Sequence, residues 1–370
     1  MDRTMEVERK LRSVRVWLEF HDLGAVLLVS QDWFAWITGG GRSHISIGER
    51  EGVASVLVCR DEAYLLTTNI EFDRLLTEEV SAARPFVGIA RPWHEVVATV
   101  DLIRDLADPS ATVSDLGLEG IRRAPADLAT LRYTLLPPEV DRYRALGADA
   151  AAAVEAACRA ARPGDAEHDV AARLAAEATA RDILPLVNLV ATDDRIALYR
   201  HPLPTARSVG RTILVALTGR RVGLHASLTR MVSFGPPDAE TARRYEAVAR
   251  VDAREILESR PGASLGGVFE AGVSQYAEDG WEGQWRLHHQ GGLTGYAGRE
   301  IFAVFGARHE LTAHQAVAWN PSITGVKSED TVLVTERGPD VLTRTGEWPE
   351  RPVDLGAGTI ARPVILQSSP

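Results

Sequence analysis

Gly325-Val-Lys-Ser-Glu329-Asp330-Thr-Val-Leu-Val334-Thr-Glu-Arg-Gly338 sets two carboxylates directly ahead of a short apolar run closed by glycine. A run of that length and β-branched content reads as a buried strand. A carboxylate at its mouth is expensive to bury alone, so Glu329 is half of an ion pair or a functional group. Upstream, Asn320 of Trp319-Asn320-Pro321 both donates and accepts, which suits holding a polar substrate; the alternative is a turn residue before proline. Further upstream stands Leu287-His288-His289-Gln-Gly291-Gly292-Leu-Thr-Gly295-Tyr296. Adjacent strand residues face opposite sides, so one histidine of the pair, taken as His289, faces a site. No Lys-Ser/Thr follows the glycines as in a phosphate loop, and close backbone packing is the better account of them.

Two more stretches carry polar chemistry: Arg200-His201-Pro-Leu-Pro-Thr205 and Gly223-Leu-His225-Ala-Ser227-Leu-Thr-Arg230. A neutral imidazole titrating near pH 7 can pass a proton to a leaving nitrogen, which makes His201 a candidate general acid/base. Of Arg195, Arg200, Arg230 and Arg299, one or two suit a bidentate clamp on a substrate carboxylate, and the rest read as structural. Around these stretches the C-terminal half echoes itself. A helix ending in Arg162-Pro163-Gly164 and another ending in Arg260-Pro261-Gly262 are each followed by a second helical period and then by strand-rich sequence.

The first third alternates helix and strand: a helix to about His21, strands over 25–29, 54–58 and 63–67, and a helix from Ile70. Pro137-Pro138 stops one element and Glu139 opens an alanine-rich helix, which predicts domains at 1–136 and 137–348 with a C-terminal tail at 349–370. At 370 residues with 45% apolar and 25% charged side chains, the composition is that of a globular two-domain chain. A net charge of -10 argues against a nucleic-acid partner. The longest apolar stretches are strand-sized, well short of the roughly 20 residues of a membrane helix. With a charged opening and only two cysteines, Cys59 and Cys158, the expectation is a cytoplasmic protein with no membrane partner.

From Glu139 to about residue 345, these motifs resemble the creatinase/aminopeptidase P group, family M24. The stretch at 325–338 is similar to that group's GxRxEDTVLVTxxG pair of strands, and those at 200–205 and 223–230 to its HxxPT and GYxSDxTR stretches. The resemblance implies an α+β chain: a small α/β N-terminal domain, then a "pita-bread" domain of pseudo-twofold α-β-β repeats. It also implies a homodimer, in which the region of Arg42 and His44 can cover the partner's pocket. The group's metallopeptidases hold two divalent ions with two Asp, one His and two Glu, because bridging carboxylates must offset a charge of +4. Carried onto this chain, the first Asp falls on Ala216, the second on Ser227 or Leu228, and one Glu on Asn320. Only His289 and Glu329 survive, so no metal cofactor is expected. A weak mononuclear divalent site at His289 and Glu329, helped by His288 or His225, is the alternative.

Creatinase, in the same group, works without metal on a C–N bond of a guanidino acid. Its essential histidine matches His201 and one substrate-binding glutamate matches Glu329, while a second falls near Thr229 and is not retained. The stretch from Tyr296 to Glu300 is also locally creatinase-like. The resemblance therefore implies a metal-independent hydrolase or lyase of a small polar amide, amidine or guanidino substrate. His201, His289 and Glu329 would be catalytic; Asn320, Arg299, His225, Ser227 and Tyr296 would bind substrate. A non-catalytic binding protein and an Xaa-Pro peptidase with unusual metal ligands are the alternatives.

Overall fold

The computed structural model describes residues 1–80, 85–95, 98–356 and 358–369. They form two units, one of 1–132 with 136–139 and one of 133–135 with 140–370. Among them no helix is long and apolar enough to cross a membrane.

The first unit is an α/β layer structure. Helix Arg3–Phe20, capped by Asp2, precedes a six-stranded sheet whose central strand Ala25–Ser30 pairs antiparallel with Glu51–Cys59 and parallel with Thr112–Ser114. Every residue of that central strand is buried, which is why it reads as an uninterrupted apolar run. The helix expected from Ile70 is cut short to Phe72–Arg74 and a π turn at Leu75–Glu79.

The second unit repeats one plan twice. Helices Pro137–Ala160 and Glu167–Thr179 lead into strands Leu184–Thr192, Thr212–Arg221 and Leu224–Phe234. Helices Ala239–Glu258 and Leu265–Glu278 then lead into strands Gly291–Thr294, Ala316–Trp319 and Asp330–Thr335. Gly164 and Gly262, the terminators between paired helices, both take positive φ, a conformation that favours glycine. Gly291 and Gly292 adopt φ of 122° and 144°, and a Cβ on either would lie about 2 Å from the carbonyl oxygen of Ala318 or Ile301. They are packing glycines, as expected.

The segment 349–370 is not a tail. Glu350–Asp354 and Thr359–Pro363 form a hairpin, and Leu366–Ser368 adds a parallel strand beside Val232–Phe234. What holds it is Arg362, fully buried and bonded to both Asp252 and Asp330; Asp330 also accepts from Arg230 at 3.0 Å. A buried guanidinium needs such partners, so the segment cannot detach without leaving Asp252 with no charged partner in the core.

One turn along the same helix as Asp252, Glu255 is fully buried with neither carboxylate oxygen bonded by a described residue. Burial, and then the Asp252 charge, push its pKa well above 4.5. Folded Glu255 keeps its proton while the unfolded chain ionises, so its contribution is complete below the unfolded pKa and is lost as pH rises toward the folded one. Glu255→Gln removes that titration. The variant's unfolding free energy relative to the parent should rise as pH increases above the ordinary glutamate value in urea unfolding; parallel pH curves would contradict this assignment.

Candidate functional site

The hairpin of Thr212–Arg221 and Leu224–Phe234 supplies one wall of the site. Its register pairs Ala216 with Thr229 and Thr218 with Ser227, so these four share a face and Leu228 turns to the other. Ser227 rather than Leu228 is therefore the counterpart of the second family aspartate. An isolated bridge between Thr229 and Glu329 joins this hairpin to the second sheet.

Glu329 is the centre of the charge arrangement. Its Oε2 lies 2.8 Å from Lys327 Nζ and accepts from Thr229 Oγ1 at 2.6 Å, while Arg299 approaches Oε1 at 3.9 Å. Burial would raise this carboxyl, but the Lys327 and Arg299 charges and the two hydrogen bonds hold it below the ordinary glutamate value. Lys327 and Glu329 are two residues apart, the period that puts strand side chains on one face. That spacing was legible in the sequence and is the signal by which Lys327 could have been found.

Beside them lies a cavity of about 360 Å³. Its lining brings together the predicted His201, His289, Arg299, Asn320 and Glu329, and adds Ala216, Thr218 and Lys327. The Oδ1 of Asn320 and the Nε of Arg299 are buried without a hydrogen-bond partner among the described residues. An acceptor and a guanidinium donor are thus left for a ligand to satisfy.

The histidines form a second group. His201 Nε2 and His288 Nε2 are 3.0 Å apart, and the His288 and His289 rings stack at 4.4 Å. Partial burial and then the Lys327 charge lower the pKa of His201, with Glu329 opposing. Burial and Lys327 push His288 to about 2; burial and Arg299 push His289 to about 4. All three are neutral near pH 7. His288, which strand alternation would turn away from His289, joins the group because it caps a 3-10 turn instead of lying within a strand.

Three predicted binding residues lie outside this lining. His225 donates its backbone N–H to Gly295, and its carbonyl accepts from the buried Tyr143 hydroxyl. Ser227 Oγ bonds Thr218 Oγ1 at 2.9 Å, and its backbone bonds the Thr331 hydroxyl. Tyr296 is fully buried in the turn after strand Gly291–Thr294. Motif position alone put them in the site, whereas their local hydrogen bonds and burial commit them to the scaffold. Three of the four arginines are likewise structural: Arg195 pairs with buried Glu167, Arg200 donates to Thr324, and Arg230 holds Asp330. Arg42 is engaged by Glu79 within the first unit.

A dinuclear metal centre does not fit these residues. Ala216 has no lone pair, Asn320 is neutral, the Ser227 hydroxyl is already bonded, and the surviving carboxylate is held by an ammonium. Lys327→Met should leave Glu329 buried without its closest counter-charge and cost about 3–5 kcal/mol. By contrast, His201→Ala, at an exposed position, should stay within about 0.5 kcal/mol of the parent. Paired urea-unfolding curves read both, and a Lys327→Met variant of unchanged stability would remove the ion pair from this account.

The family model "Metallopeptidase family M24" matches residues 141–336. An uncharacterized peptidase of Staphylococcus saprophyticus is 30% identical over 125 residues, covering 32% of this chain and 35% of that protein. The chain thus spans about a third of the length of the curated relatives it matches. Among solved structures, the dipeptidase PepE from Mycobacterium ulcerans superposes with a TM-score of 0.75 at 20% identity, over 92% of this chain and 96% of that one. The prolidase from Pyrococcus horikoshii gives 0.76 at 18% identity, over 91% and 98%. The repeated helix–helix–strand plan is the pita-bread fold of these proteins, and with its matching span exceeding half its length the chain belongs to metallopeptidase family M24.

Proposed function

We propose that the chain is a hydrolase of a C–N bond in a small polar, anion-bearing amide, amidine or guanidino compound, and that it works without the metal pair of its family. The observation that carries this reading is the Lys327 ammonium 2.8 Å from the surviving carboxylate. Fixed protein cations, Lys327 and Arg299, stand where dications would otherwise face Glu329, and an anionic substrate group would pair with the underused Arg299 guanidinium.

In this scheme neutral His201 takes a proton from water as the oxygen bonds to the substrate carbon. The carbon–nitrogen bond then breaks and the imidazolium returns that proton to the leaving nitrogen, so His201 ends as it began. The His288 ring, within hydrogen-bond reach of His201 Nε2, fixes the imidazole's orientation. Lys327 and Arg299 stabilise negative charge developing on the substrate. Glu329 and Asn320 orient the water and the substrate's polar edge. The similarity to uncharacterized peptidases favours a second reading, peptide hydrolysis.

A direct test incubates chelator-treated protein with a panel of N-acyl amino acids, amidines and guanidino acids, scoring release of amine, ammonia or urea. Turnover in chelator is expected, and His201→Ala should reduce it by about 100-fold or more. Activity confined to Xaa-Pro dipeptides and dependent on added manganese or cobalt would overturn the proposal in favour of the peptidase.

A further inference from the structure

His201, His288 and His289 each offer a ring nitrogen, and the three nitrogens lie within 4.8 Å of one another. None of the three is a metal ligand by the family alignment except His289, so the cluster is a different donor set from the dinuclear centre ruled out above. Its spacing suits one ion. Zinc–nitrogen bonds of about 2.0–2.1 Å in a tetrahedron separate ligand nitrogens by roughly 3.3 Å. The His201 and His288 Nε2 atoms are already 3.0 Å apart, and small ring rotations bring in the third.

A further observation points to a ligand. His201 and His289 line the open cavity, so an ion held there has an entry path and a free coordination position. The chemistry of the donors sets the class of ion. Three neutral imidazoles with no carboxylate select zinc, copper, nickel or cobalt and discriminate against magnesium, calcium and manganese, which prefer oxygen. Glu329 does not alter this choice, because Lys327 holds it.

We propose that the three histidines bind a single divalent transition-metal ion of the zinc class, and that its binding inhibits turnover. Inhibition rests on the reading that His201 moves the proton, since an ion on its nitrogen blocks that transfer. Ion binding itself rests on the histidine geometry alone.

The test titrates the full-length, chelator-stripped protein with zinc by calorimetry and with cobalt by visible absorption. One equivalent of each should bind, and cobalt should develop the ligand-field bands of a tetrahedral site. Magnesium and manganese should give no saturable signal. His289→Gln, at an exposed position, and His288→Gln should each weaken zinc by about 100-fold or more. Absence of saturable zinc binding, two equivalents, or affinity unchanged in both variants would overturn the ion site. Stimulation by one equivalent of zinc, with a substrate from the panel above, would keep the ion site and overturn inhibition together with metal-free turnover, so the two failures are separable.

Discussion

Asp330 accepts from two buried guanidiniums, Arg230 and Arg362, and this contact decides where its neighbour must point. Side chains alternate along a strand, so committing Asp330 to the core turns Glu329 to the opposite side, toward the cavity. The same contact recruits the hairpin of 350–363 through Arg362 and the strand Leu224–Phe234 through Arg230. A displaced Asp330 would leave Arg230 without a carboxylate partner in the buried interior and Arg362 with Asp252 alone, a cost that holds the wall in place. The geometry of Glu329 is thus set by a residue that takes no part in the site.

With Glu329 fixed, its charge must be balanced, and the charged groups nearest it are cationic side chains. A pair of dications needs several carboxylates to offset it. Here the Ala216, Ser227 and Asn320 positions carry no carboxylate, and an ammonium and a guanidinium both face the one carboxylate that remains.

The sequence carried the fold because its signals were redundant. The Pro-Gly stops recur, the 331–334 run has strand length, and the packing glycines occur where no side chain fits. It carried the cavity-facing His201, His289, Arg299, Asn320 and Glu329 because each lies at a junction between elements, where the motif itself fixes the local backbone. His225 and Tyr296 lie in equally suggestive stretches, yet the Gly295 turn ties one into backbone hydrogen bonds and the core encloses the other. Cross-strand register, which alone separates Ser227 from Leu228, is a property of two segments and cannot be read from either. The 349–370 segment misled for a related reason: its anchor, Arg362, reads as a solvated charge until Asp252 and Asp330, 110 and 32 residues earlier, are brought beside it.

The two halves of the site, ionic and imidazole, are coupled through Lys327. Its ammonium balances Glu329 and also lowers the proton affinity of His201 and His288. A histidine beside an uncompensated glutamate would instead be drawn toward the protonated form and lose the lone pair needed to accept a proton or a metal. Lys327 therefore does more than pair with a carboxylate, because its charge adds to burial in keeping the neighbouring imidazoles neutral at the cavity edge. An account of any one of these residues therefore requires the charge of the others.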